Sequence, residues 1–296
     1  MNLAGASRPV RRWQFVFESR LPTPYGPRRS RPDPSFLGMT GNTLQRASKC
    51  YSAAMSSRVA LVTGAAKRVG RAIALHLARG GFDIAFTYHS SADEARSLEE
   101  ELRQLGRRVA AVRADLTDPD NAVLDIVRGV TAEFDRLDVL VNNASLYLPA
   151  KLAETTPAVM RNLMAIHFES PLLLAQAFEA KLRASRGHIV SMSDLLADRP
   201  WPQYLAYCAS KAALSNLTKG LAKELAPEVT VNAIAPGVVE WPADYPEAER
   251  EKYLKRVPLG RAGSPEDVAQ LVHFLVTEGA YITGQIIPLD GGRSVT

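Results

Sequence analysis

From Arg58 onward, short apolar runs alternate with longer amphipathic stretches. The runs fall at 59–62, 83–88, 109–113, 139–142, 188–191, 229–235 and 285–289. Most are unbroken Val/Ile/Leu-rich segments, not polar–apolar alternations, which is the pattern of strands buried on both faces of a parallel sheet. The intervening stretches carry helix-start signals. Asp120 is the expected cap of a helix running to about Phe134. Thr156-Pro157 and Ser264-Pro265 mark two more starts, each with proline at the first helical position. Asp267 follows Ser264 by three residues, close to a capping box. The alternation predicts one α/β domain over residues 58–296, a Rossmann-type doubly wound parallel sheet of seven strands. No internal repeat or linker divides it.

Residues 1–57 lack that periodicity. They are rich in Arg, Pro and Ser, as in Arg8, Arg11, Arg12 and the run 27–34. This composition predicts a disordered extension. Two readings fit: a mis-assigned start, since Met55 stands just before the first strand, or an Arg-rich transit peptide. A cytoplasmic location follows from the first and an organellar one from the second. The extension also explains the charge. It holds nine of the 36 basic and two of the 31 acidic residues, so the overall +5 belongs to it. The domain, with 27 basic and 29 acidic residues, is nearly neutral. Composition therefore gives no argument for nucleic-acid binding. No run of about 18 uncharged apolar residues suggests a membrane span. Two cysteines, Cys50 and Cys208, with no Cys/His cluster, indicate neither a structural metal nor a disulfide framework.

The chemistry begins at Thr63-Gly-Ala-Ala-Lys-Arg-Val-Gly70, between the first strand and the first helix. Gly64 can take positive φ, and Gly70 lets the helix lie close to the sheet. The amides of Lys67, Arg68 and Val69 then open a helix whose N-terminus suits a pyrophosphate. The second strand ends in Tyr88-His89-Ser90-Ser91 without the acid that holds ribose hydroxyls in NAD enzymes of this fold. Those hydroxyls, His89 and Lys67 suit a 2′-phosphate, so NADPH is expected over NADH.

The string resembles the TGxxxGxG fingerprint of the short-chain dehydrogenases/reductases. It is most similar to the TGxxxRxG form of the pteridine reductases, with Arg68 in place of the middle glycine. Such a planar, permanently charged donor fork can hold cofactor phosphate and stack on a heteroaromatic substrate. The resemblance implies further cofactor contacts at Asp115 and Leu116, at Asn143, Ala144 and Ser145, and at Pro236 and Gly237. Ser145 replaces the family's usual glycine, as in the pteridine reductases.

Tyr207 and Lys211 form a YxxxK pair, four residues apart on one helix face. Lys211 is expected to place its charge near the Tyr207 hydroxyl and favour the phenolate. The resemblance also gives this lysine to the nicotinamide ribose. Thirteen residues before the tyrosine, where the wider family has a serine, stands Asp194, as in the pteridine reductases. A carboxyl group there can relay the proton that reduction of a ring C=N requires. Ser193 would take the serine's place only if the spacing slipped. Tyr147 matches an aromatic residue that sandwiches the pterin against the nicotinamide. His167 stands where the wider family has an asparagine that orients water toward the lysine, and no catalytic role is assigned to it. Cys208 reads as a small packed residue.

The resemblance covers 58–296 and implies an NADPH-dependent reductase of a small-molecule pteridine, of the dihydropterin, dihydromonapterin or dihydrofolate type, in a homotetramer. Catalytic roles fall to Asp194, Tyr207 and Lys211. Arg68, Ser145, Tyr147, Asp194 and Tyr207 would line the substrate. Two alternatives remain at this point: a carbonyl reductase of the same family, acting on a 3-oxoacyl thioester or similar compound, and a non-catalytic NADPH-binding sensor or partner subunit.

Overall fold

The computed structural model describes residues 57–241 and 245–296. The extension expected over residues 1–57 therefore lies outside the described residues, apart from Ser57. Seven strands are present: β1 (Val59–Val62), β2 (Asp83–Tyr88), β3 (Val109–Arg113), β4 (Val139–Asn142), β5 (His188–Met192), β6 (Thr230–Pro236) and β7 (Ile286–Leu289). They form one parallel sheet in the order β3-β2-β1-β4-β5-β6-β7. The chain builds outward from β1 to β3, then returns to pair β4 with β1 on the other side. A crevice opens beyond the carboxyl ends of β1 and β4 at this reversal, the usual ligand position in such sheets.

The helices are α1 (Arg68–Arg79), α2 (Ala92–Gln104), α3 (Pro119–Glu133), α4 (Pro157–Met164), α5 (Ser170–Ser185), α6 (Leu205–Glu224), α7 (Glu247–Leu254) and α8 (Pro265–Thr277). The first strand shows why the apolar runs are unbroken. Ala60 and Val62 face a core shared with Ile73 and Leu77 of α1 and Val272 and Leu275 of α8. Val59 and Leu61 face the opposite core, with Ile126 and Val130 of α3 and Leu174 and Phe178 of α5. Neither face meets water, and each large side chain so buried contributes roughly 1.5–3 kcal/mol.

Two of the three expected helix starts form as read. Thr156 Oγ1 accepts the Val159 amide at 3.3 Å. Ser264 Oγ accepts the Asp267 amide at 3.1 Å, and Asp267 Oδ2 accepts the Ser264 amide at 2.9 Å, closing the box. The third differs. Pro119 is the first residue of α3, so Asp118 occupies the cap position and Asp120 lies in the first turn. There Asp120 complements the helix dipole without capping it.

Between α4 and α5 the chain makes a π-helical turn, Ala165–Glu169. Its wider winding re-aims the side chains that follow, a distortion common at functional sites. Among the described residues, no helix is long and apolar enough to cross a membrane.

Candidate active site

The glycine turn is locked to the end of β4. Gly64 has φ +64°, and a Cβ there would meet Ala144 Cα at 2.9 Å. Thr63 Oγ1 accepts the amides of Asn143 and Ala144, each at 3.0 Å. Asn143 Nδ2 donates to the carbonyls of Thr63 and Gly64 at 2.9 and 3.1 Å. A Cβ on Gly70 would lie 2.5 Å from that same Nδ2 and 2.6 Å from the Gly64 carbonyl. The Gly64 amide donates to Thr87 Oγ1 at 3.0 Å, a contact no motif announced. Val69 packs against the core behind the turn. No side chain caps α1. An uncapped N-terminus beside close-packed glycines fits the diphosphate of a dinucleotide.

The segment expected to meet the 2′-phosphate is more mixed. Lys67 Nζ pairs with Glu94 at 2.6 Å. Arg71, which the sequence did not single out, lines the same depression and bonds Glu101 at 2.8 Å. His89 and Ser90 are exposed, and Ser91 precedes α2. The Tyr88 ring packs toward Phe86, with centroids 6.5 Å apart. His89 Nε2 stands 3.6 Å from Asp115 Oδ2. Hydrogen bonds from the Thr117 hydroxyl and amide hold the Asp115 carboxyl below its ordinary pKa. Leu116 is buried, and its carbonyl accepts the Ser170 hydroxyl at 3.1 Å. Three basic side chains and the Ser97 hydroxyl thus line a groove whose walls also carry Asp93 and Glu94.

Arg68 bridges the glycine turn to the segment after β6. Its Nε bonds Glu240 Oε2 at 2.6 Å, and its Nη2 approaches the Glu240 carbonyl at 3.3 Å. Glu240 lies 172 residues away and carries no sequence signal. Both side chains are substantially exposed, so the pair is weak and exchangeable. At the same end, Pro236 closes β6 and the Gly237 amide bonds the Leu289 carbonyl at 3.0 Å. A Cβ on Gly237 would come within 3.1 Å of the Tyr253 hydroxyl.

The proton-handling groups meet beyond β5. The Tyr207 hydroxyl, on α6, donates to Asp194 Oδ2 at 2.7 Å. Asp194 Oδ1 accepts the Leu196 amide at 2.8 Å. Ser193 turns inward, with its Oγ 2.6 Å from Ser215 Oγ, so Asp194 and not Ser193 faces the tyrosine. The Tyr147 ring, half exposed, stacks on Tyr204 at 4.7 Å and meets Tyr207 edge-on at 4.9 Å. Cys208 is buried with Leu163, Leu196 and Tyr207, a packing residue as expected.

Lys211 departs from expectation. Its Nζ donates to the Met192 carbonyl at 2.7 Å and lies 5.8 Å from the Tyr207 ring centre. Burial holds its pKa down at about 8, partly opposed by the Asp194 charge. The Tyr207 pKa is raised, not lowered, by burial and by the Asp194 carboxylate. Four-residue spacing put the two on one helix face, but the buried ammonium found a carbonyl nearer than the phenol.

The π turn places His167 beneath this cluster. His167 is 1% exposed, with Nδ1 2.8 Å from Ser210 Oγ and Nε2 2.8 Å from Ser145 Oγ. Burial, with Lys211 nearby, drives its pKa down to about 2. A YxxxK reading passes over Ser210, one residue before the lysine.

Residues 64–294 match the family model described as Enoyl-(Acyl carrier protein) reductase. The chain belongs to the short-chain dehydrogenase/reductase family. It is an oxidoreductase of that family. It is 36% identical over 245 residues to the 3-oxoacyl-[acyl-carrier-protein] reductase FabG of Staphylococcus aureus, covering 80% of this chain and 98% of that one. It is 33% identical over 240 residues to the dihydromonapterin reductase of Klebsiella pneumoniae, covering 80% and 96%. Among solved structures, a short-chain dehydrogenase of Burkholderia cenocepacia in complex with NADP aligns with a TM-score of 0.74 at 37% identity, over 80% of this chain and 97% of that one.

Proposed function

We propose that this reductase uses NADPH to reduce a pteridine of the dihydropterin type. The observation that carries the reading is the carboxyl group of Asp194 bonded to the Tyr207 hydroxyl at 2.7 Å, where carbonyl reductases of the family have a serine. The dihydromonapterin reductase relative and the NADP-bound neighbour support it.

NADPH supplies a hydride to a ring carbon, and the protein must supply a proton to the adjacent nitrogen. The face of Tyr147 offers a flat heterocycle a stacking surface. Asp194 is half buried at the edge of the site, open enough to exchange protons with water. Its resting carboxylate, held on both oxygens by the Leu196 amide and the Tyr207 hydroxyl, takes a proton from water and passes it to the ring nitrogen, which restores the carboxylate. Tyr207, its pKa raised, keeps its proton and acts as that donor. Arg68 brings positive charge to a ligand bearing phosphates, and the family resemblance gives Lys211 to the nicotinamide ribose.

A second reading is reduction of a 3-oxoacyl thioester, favoured by the 36% identity to the Staphylococcus aureus enzyme. Following NADPH oxidation with dihydrobiopterin and with an acetoacetyl thioester separates them. Turnover of the pterin is expected. Turnover of the thioester alone overturns the pteridine reading.

A further inference from the structure

His167 is a buried titratable group that the proton relay does not use, and its hydrogen bonds allow one arrangement of protons. The Ser210 oxygen lies 2.7 Å from the Tyr207 carbonyl. A carbonyl only accepts, so the Ser210 proton must point at it. The same oxygen lies 2.8 Å from His167 Nδ1. With its proton already committed, Ser210 can only accept there, and Nδ1 carries the hydrogen. The reverse choice would set two oxygen lone pairs against each other at 2.7 Å. The ring is neutral, because burial strongly disfavours its charged form. A neutral ring protonated at Nδ1 presents a lone pair at Nε2. Ser145 Oγ, 2.8 Å away, must therefore be the donor.

The direction of each bond is thus fixed from the Tyr207 backbone outward to the edge of the cleft. Ser145 is exposed there, beside Tyr147 and next to the Ala144 that packs on the glycine turn. Its single proton is turned inward to His167, so its oxygen offers only lone pairs to whatever lies in the cleft. We infer that His167 is a positioning residue, which acts through Ser145 to make that hydroxyl an obligate acceptor and so selects a ligand group bearing N–H or O–H over one bearing a carbonyl oxygen. Without that acceptor the serine would turn its proton into the cleft, toward a carbonyl and against an N–H or O–H. The inference rests on the cleft being the ligand site. It deepens the pteridine reading, since amino-substituted heterocycles carry such donors.

A double-mutant cycle tests it with His167→Phe, Ser145→Ala and the pair, with Ser210→Ala and Ser145→Ala/Ser210→Ala as a second cycle should the phenylalanine fail to fold. In the Ser145 background each change at 167 or 210 raises KM about tenfold, the value of one correctly directed hydrogen bond, with kcat within about twofold. In the Ser145→Ala background the same change moves KM by less than about twofold. A merely structural histidine would change both backgrounds by the same factor, and that result overturns the inference. So does a Ser145→Ala enzyme with unaltered KM. With dihydrobiopterin the cycle is read as this rise in KM; should only the acetoacetyl thioester turn over, whose carbonyl oxygens need a donor, releasing the Ser145 proton lowers KM in the Ser145 background and leaves the Ser145→Ala background unmoved. Loss of the pteridine reading therefore shows as a change of substrate, and loss of this inference as an additive cycle.

Discussion

At the scale of the residue, Asp194 and Lys211 carry the sharpest expectations. Replacing Asp194 by Ser removes the proton relay while keeping a polar group beside Tyr207. Turnover of a pterin should fall by about 10²–10⁴, the usual contribution of a positioned acid. A carbonyl reductase would tolerate the same change, and kcat measured on both substrates tells them apart. Lys211 gives a pH signature. Its charged form prevails below pH about 8 and is lost above it. Tyr207, raised, contributes no ionisation in that range. The kcat/KM profile, which reports the free enzyme, should therefore fall above pH about 8. The fall will not be unfolding. Between about 8 and the ordinary value of 10.5, the unfolded chain binds more protons at this lysine than the folded one, so its contribution to stability rises with pH.

At the scale of the element, the tie between the opening of α1 and the segment after β6 is the feature to test. Glu240 neutralises the guanidinium that a phosphate would otherwise meet. Glu240→Gln should tighten NADPH up to about fivefold, the range of an exposed ion pair, measured by fluorescence titration. Unchanged affinity would mean that Arg68 never meets the cofactor. Sequence made the scaffold of this region legible. The apolar runs marked β1 to β4 to the residue, because a sheet buried on both faces leaves no polar position to blur the pattern. Caps at Thr156 and Ser264 were legible because their bonds span three residues. Asp118 displaced Asp120 because Pro119 fixed the first helical position. The Arg68–Glu240 pair was not legible, since nothing local relates residues so far apart. The choice by Lys211 of the Met192 carbonyl depends on a rotamer that spacing alone does not set. The π turn that buries His167 is a change of winding with no residue signature.

At the scale of the whole molecule, a dinucleotide laid across the crevice touches loops from both halves of the sheet and so couples its binding to global stability. NADPH at about 100 times its Kd should stabilise the fold by about 2.7 kcal/mol and raise Tm by roughly 5–10 °C. NADH at the same concentration should do less, and an equal shift would remove the 2′-phosphate argument. The backbone of Arg68 bears on the same balance. It sits at φ +53°, a conformation that costs a residue with a side chain about 1–2 kcal/mol and costs glycine almost nothing. Its exposed pair with Glu240 returns less than that. Arg68→Gly should therefore melt about as high as the parent or higher, while binding NADPH more weakly. Libraries screened for heat resistance alone would drift toward glycine at this position, and their survivors would be the tougher proteins and the poorer reductases.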